Sequence, residues 1–116
     1  MRPHRLLTKG EVWQAILDPV TGHEQAGVRP VIIVSSSQFN QNPARLIVVV
    51  PLTRTDRGNP LHVPIEPPDC GLRYRSFALC DMMRSISSNR LQFFIGRASG
   101  ATLDGVADRI RIMLNL

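Results

Sequence analysis

A chain of 116 residues, 43% hydrophobic and 20% charged, has the make-up of one globular domain that buries its own core without staples. No apolar run approaches the roughly 18 residues of a membrane helix. Cys70 and Cys80 form no Cys-x-x-Cys pair and have no histidine at zinc spacing, so both read as reduced, structural thiols of a cytoplasmic protein. Fourteen basic against nine acidic residues give a net charge of +5, which favours a polyanionic partner such as nucleic acid. A solvated basic surface would account for the charge equally well.

In chain order, residues 1–9 read as a loose basic tail with no apolar stretch fit for a secretory signal. Residues 11–17 alternate and predict a half-buried first strand, with Val12 and Ile16 on one side. Trp13 has the opposite parity, which places it at the rim or at a subunit contact. Residues 18–30 form a polar loop that opens on Asp18-Pro19, carries Gly22 and Gly27, and holds His23, Glu24, Gln25 and Arg29. It runs directly into a buried strand at 31–34, Val-Ile-Ile-Val. A connection with one short helical turn around 38–41 follows.

Residues 46–52 are almost uniformly apolar and predict a central strand buried on both faces. It ends in the polar, basic loop 53–60. Residues 61–65 carry Pro64, which suits an edge strand. After the turn-rich segment 67–71, residues 76–81 and 93–97 read as two more strands, with 85–91 between them. At the end of the chain Leu103, Val106, Ala107, Ile110, Met113 and Leu114 recur at helical spacing. Ser99 or Thr102 can cap that helix, and Asp104 lies near its positive end. Six short strands and a terminal helix predict a small antiparallel barrel or curled sheet closed by the helix.

The ordered run Gly10-Glu11-Val12-Trp13, Asp18-Pro19, Gly22-His23-Glu24-Gln25-Ala26-Gly27 and Arg29-Pro30-Val31 closely resembles the MazF/PemK family of toxin endoribonucleases. The likeness continues through Val50-Pro51-Leu52-Thr53 and Ala78-Leu79-Cys80-Asp81 to the last helix, over roughly 9–116. It implies a mainly β fold with a C-terminal helix, the SH3-like barrel of this family, as a single domain over 10–116 that forms two-fold homodimers. The implied activity is metal-independent, sequence-selective cleavage of mRNA, leaving a 2′,3′-cyclic phosphate and a 5′-hydroxyl. The implied partners are single-stranded RNA and a cognate antitoxin whose acidic, partly disordered segment folds over the RNA groove. No cofactor, metal or membrane is expected.

Such cleavage needs a base for the 2′-hydroxyl, an acid for the departing 5′-oxygen and positive charge against the phosphorane. Arg29 fits the charge role, because a guanidinium stays protonated and its forked donors match phosphate oxygens. Thr53 matches the family threonine that contacts the scissile phosphate. His23, beside Glu24, has the titration range of a base or acid. Asp81 is the second candidate base. The PemK branch has an arginine two positions before that aspartate, and this chain has Leu79 there, so Arg29 carries the main phosphate charge unless Arg84 or Arg54 reaches in. Gln25 and the loop arginines Arg54, Arg57, Arg73, Arg75 and Arg84 are candidate RNA contacts, and Phe39 and Tyr74 candidate stacking surfaces. The alternatives are a CcdB-like gyrase-binding toxin without RNase activity, or a catalytically inactive nucleic-acid- or protein-binding barrel. The chain ends Met113-Leu114-Asn115-Leu116, without the Trp-Gly-Ile tail of the gyrase poisons.

Overall fold

The computed structural model describes residues 6–17 and 27–116. They form seven strands and one helix: β1 (Glu11–Ile16), β2 (Val28–Ile33), β3 (Leu46–Thr53), β4 (His62–Ile65), β5 (Ser76–Leu79), β6 (Arg84–Ser87), β7 (Leu91–Arg97) and α1 (Gly100–Leu114). All strand pairings are antiparallel. This is the mainly β architecture with a C-terminal helix that the sequence predicts.

One strand joins everything. On one side β3 pairs with β2, from Val31 opposite Pro51 to Ile33 opposite Val49. On its other side it pairs first with β6 (Leu46 opposite Ser87) and then with β5 (Thr53 opposite Phe77). The 3₁₀ turn Cys80–Met82 separates β5 from β6, so one face of β3 is served by two strands set at different registers. Two curled sheets result, β7-β1-β2-β3-β6 and β3-β5-β4, with β3 common to both.

Parity along the central strands sorts the core. Odd positions (Trp13, Ala15, Val31, Ile33, Ile47, Val49) join Leu7, Ile86 and Leu91 in one cluster. Even positions (Val12, Ile32, Val50, Leu52) join Val63, Ile65, Ala78 and Val106 in a second, which α1 covers. With alternate residues pointing to opposite faces, both faces of these strands are therefore buried.

That corrects the reading of the first strand. Trp13 is only 4% exposed, while Ile16 is 38% exposed at the strand's outer end. The reason is Glu11, fully buried two residues before Trp13 and thus on the same face. Its Oε1 accepts from Trp13 Nε1 (2.8 Å), and its Oε2 accepts from Thr8 N–H (3.0 Å) and Thr8 Oγ1 (2.7 Å). A buried carboxylate is tolerable only when its oxygens are satisfied, and here the indole is one of the donors. The Trp13 ring also meets Phe94 edge-on at 5.7 Å. Leu7 and Thr8, assigned by sequence to the tail, thus pack against the domain.

Two further differences are local. β6 lies within the stretch read as a link, and β7 starts at Leu91 rather than 93. The helical turn Phe39–Gln41 and the edge position of β4 are as predicted. Among the described residues no helix is long and apolar enough to cross a membrane.

The ends of the two sheets meet without a strand ladder. A Cβ on Gly96 of β7 would lie 2.7 Å from the Cys70 carbonyl oxygen, and one on Gly71 only 2.4 Å from that of Ile95. Beside this seam Asp69 accepts from Ser99 N–H (2.8 Å), Ser99 Oγ (2.9 Å) and Thr102 Oγ1. Ser99 is itself the N-cap of α1, accepting from Thr102 N–H. Burial pushes the Asp69 carboxyl up, but these hydrogen bonds outweigh it and hold its pKa below the ordinary carboxylate value.

Gly96→Ala should destabilise the fold by about 1–3 kcal/mol in chemical denaturation, because backbone must move to admit the methyl group. Gly100→Ala, which meets open space, should change stability by under about 1 kcal/mol. The lowered Asp69 pKa adds stability that is complete above the unfolded-state value near about 4 and is lost as pH falls through the folded value. Asp69→Asn should therefore lower the melting temperature at neutral pH and flatten its decline in acid.

Candidate active site

The β2–β3 ladder stops at Val31 opposite Pro51. Beyond it the strands part: 28–30 stay with β1, while Leu52 and Thr53 turn away to pair with β5. Pro30 and Pro51 stand at this fork, and neither has an N–H with which to extend the ladder. The opening is a cleft of about 390 Å³. Its walls come from Arg29 and Pro30, from Thr53 with the following Arg54 and Arg57, and from 72–76, the approach to β5.

Four arginines (29, 54, 57 and 73) line the cleft, and no carboxylate does among the described residues. Closely set cations in a concave wall make a site for a polyanion. Arg29 is half-buried on β2, opposite Ala15 of β1. Thr53 is 5% exposed. Its Oγ1 accepts from Thr55 N–H at 3.2 Å, which leaves the hydroxyl proton available to a ligand oxygen. The Arg54 guanidinium lies 4.0 Å above the centre of the Tyr74 ring.

Of the residues singled out from sequence, the cleft gathers Arg29, Thr53, Arg54, Arg57, Arg73 and Tyr74. His23, Glu24 and Gln25 lie outside the described residues. Asp81, Arg84 and Phe39 are elsewhere. Asp81 follows β5 and accepts from His62 Nε2 (2.9 Å) and Asn59 Nδ2 (3.4 Å). Asn59 Oδ1 in turn accepts from Leu61 N–H, so Asp81 fastens the base of the loop that carries Arg54 and Arg57. Arg84 donates through Nη1 to the Leu17 carbonyl (3.2 Å), and Arg90 does the same to that of Ile16 (3.2 Å). With the bond from Leu17 N–H to the Gly27 carbonyl (2.8 Å), they close the chain at the two ends of 18–26. Phe39 is exposed on the turn between β2 and β3.

Ser76 is a cleft residue that sequence did not single out; only proximity to the fork identifies it. Cys80 is not poised for chemistry. It is fully buried, and burial foremost, with Asp81 adding, raises its pKa to about 11. Burial and the neighbouring Asp69 raise Cys70 to about 12. Among the described residues no three His, Cys, Asp or Glu side chains gather as a metal site.

With this geometry in hand, comparison with known proteins is informative. A family model described as the PemK-like, MazF-like toxin of type II toxin–antitoxin systems matches residues 8–114. Endoribonuclease MazF9 of Mycobacterium tuberculosis is 34% identical, over 96% of this chain and 98% of its own length. Endoribonuclease EndoA of Bacillus subtilis is 30% identical, over 96% and 97%. The crystal structure of MazF from Deinococcus radiodurans superposes with a TM-score of 0.84 at 24% identity, over 97% of this chain and 99% of that one. An endoribonuclease from a Mycobacterial species, solved in complex with its cognate antitoxin, gives 0.78 at 25%, over 95% and 96%.

Both thiols should resist a disulfide reagent at pH 8 in the folded protein, since a thiolate is the reactive form and little is present. Both should react promptly once guanidinium unfolds the chain.

Proposed function

The chain belongs to the PemK-like, MazF-like toxins of type II toxin–antitoxin systems and is an endoribonuclease; from that premise we propose that it cuts single-stranded RNA in the β2–β3 cleft, without a metal ion. The observation that carries this reading is the fork itself, which puts Arg29 and Thr53 together in a cavity lined by four arginines.

The ribose 2′-oxygen, its proton taken by a base, attacks the adjacent phosphorus. The P–O5′ bond breaks and the 5′-oxygen is protonated, leaving a 2′,3′-cyclic phosphate and a 5′-hydroxyl. Arg29 holds the charge that builds on the non-bridging oxygens, and the Thr53 hydroxyl donates to one of them. Asp81, occupied by His62 and Asn59 outside the cleft, is poorly placed to take the proton. That supports His23 as the base, with Glu24 orienting it and Gln25 on the RNA. Arg54 and Arg57 supply phosphate contacts along the strand.

The basic cleft also suits an antitoxin with an acidic segment that folds on binding and competes with RNA. An apolar groove of about 310 Å³ beside α1, lined by Val34, Val48, Met83, Leu103 and Ile110, together with exposed Ile112 and Leu114, supports a two-fold homodimer. An RNA substrate and an antitoxin partner support a cytoplasmic location.

Arg29→Ala should reduce cleavage by about 10²–10³ while affinity for a non-cleavable RNA falls far less. Wild-type cleavage in EDTA with 5′-hydroxyl ends, mapped by sequencing, is expected; full activity of folded Arg29→Ala would remove the cleft from catalysis. His23→Ala should abolish the limb of the pH–rate profile near neutrality, and Asp81→Asn should leave the profile's shape unchanged. The reverse pattern would assign the base to Asp81.

A further inference from the structure

We propose that Tyr74, backed by the Arg54 guanidinium, is a stacking platform for the base next to the scissile phosphate. The inference rests on the cleft being the RNA site and adds a subsite to it.

Tyr74 lines the cleft and is 57% exposed, so much of its side chain is accessible to a ligand. Arg54, 4.0 Å above the ring, occupies one face and restricts the ring before any ligand arrives, so less freedom is lost on binding. The ring's remaining surface is open. Arg54 directly follows Thr53, and neighbouring Cα atoms are about 3.8 Å apart. The platform is therefore tied to the residue that meets the scissile phosphate. A strand whose phosphate sits at Arg29 and Thr53 brings its adjacent base to Tyr74.

Two other arginine–aromatic pairs differ in ways that set this one apart. Arg75 lies 4.9 Å from the Phe77 ring, but Phe77 is only 6% exposed and cannot take a base on its face. Arg97 lies 5.7 Å from the ring of Phe94, which is on β7 outside the cleft and meets Trp13 of β1 edge-on. Among the described residues only Arg54–Tyr74 combines an exposed ring with a place in the cleft. Every base has a π-face, so such a platform contributes affinity with little sequence demand, while edge contacts elsewhere select the sequence.

The test compares two short non-cleavable strands by fluorescence anisotropy: a 2′-O-methyl RNA and an abasic strand of equal length and charge. Wild type should bind the base-bearing strand more tightly. Tyr74→Leu should lose about ten- to a hundredfold of affinity for it, as expected for one stacked base, and change little toward the abasic strand. Tyr74→Phe should keep the preference. Arg29→Ala should also keep it while failing to cleave. A folded Tyr74→Leu protein that retains the full preference would overturn the platform, as would equal losses on both strands. Cleavage of natural RNA is followed in parallel. An inactive wild type would overturn the nuclease chemistry, and the base preference would still decide on Tyr74.

Discussion

The fold depends on β3 having a strand on each side and changing partner on one of them. An eight-residue strand buried on both faces must satisfy its backbone groups through ladders, because water is not available to them. On one side β6 and β5 share that task, offset by the turn at Cys80–Met82. The change of partner curls the sheet and pulls Thr53 away from β2. Closure of the barrel and opening of the cleft thus have one origin.

The central elements were legible in the sequence because burial leaves a continuous apolar signature, as at 31–34 and 46–52, and because α1 keeps a helical stripe. Trp13 was misplaced because strand parity was anchored on Val12 and Ile16. The burial of Glu11, which makes an indole acceptable inside, appears only when its three donors are in place. β6 was missed since Arg-Ser-Ile-Ser has little apolar content and owes its strand state to pairing with β3. Tertiary pairing overrides weak local preference in such segments.

The site was legible to a different degree. Arg29, Thr53, Arg54 and Arg57 sit in segments whose motifs or strand ends mark them, and the fork brings them together. Asp81 sits in an equally suggestive segment, yet His62 and Asn59, some twenty residues earlier, engage its carboxylate. Nothing in the local pattern around Leu79-Cys80-Asp81 announces a histidine on the neighbouring edge strand. The motif identifies the position, and the partners decide what the side chain does there.

The closure of the chain at Leu17 and Gly27 has a consequence for which substitutions it tolerates. The bond between them and the arginines at the Ile16 and Leu17 carbonyls fix where β1 ends and β2 begins. The register of β1 against β2 is thus held by contacts among residues on either side of 18–26. Because the acceptors are main-chain carbonyls, which every residue carries, a change of side chain at Ile16 leaves the anchor of Arg90 in place.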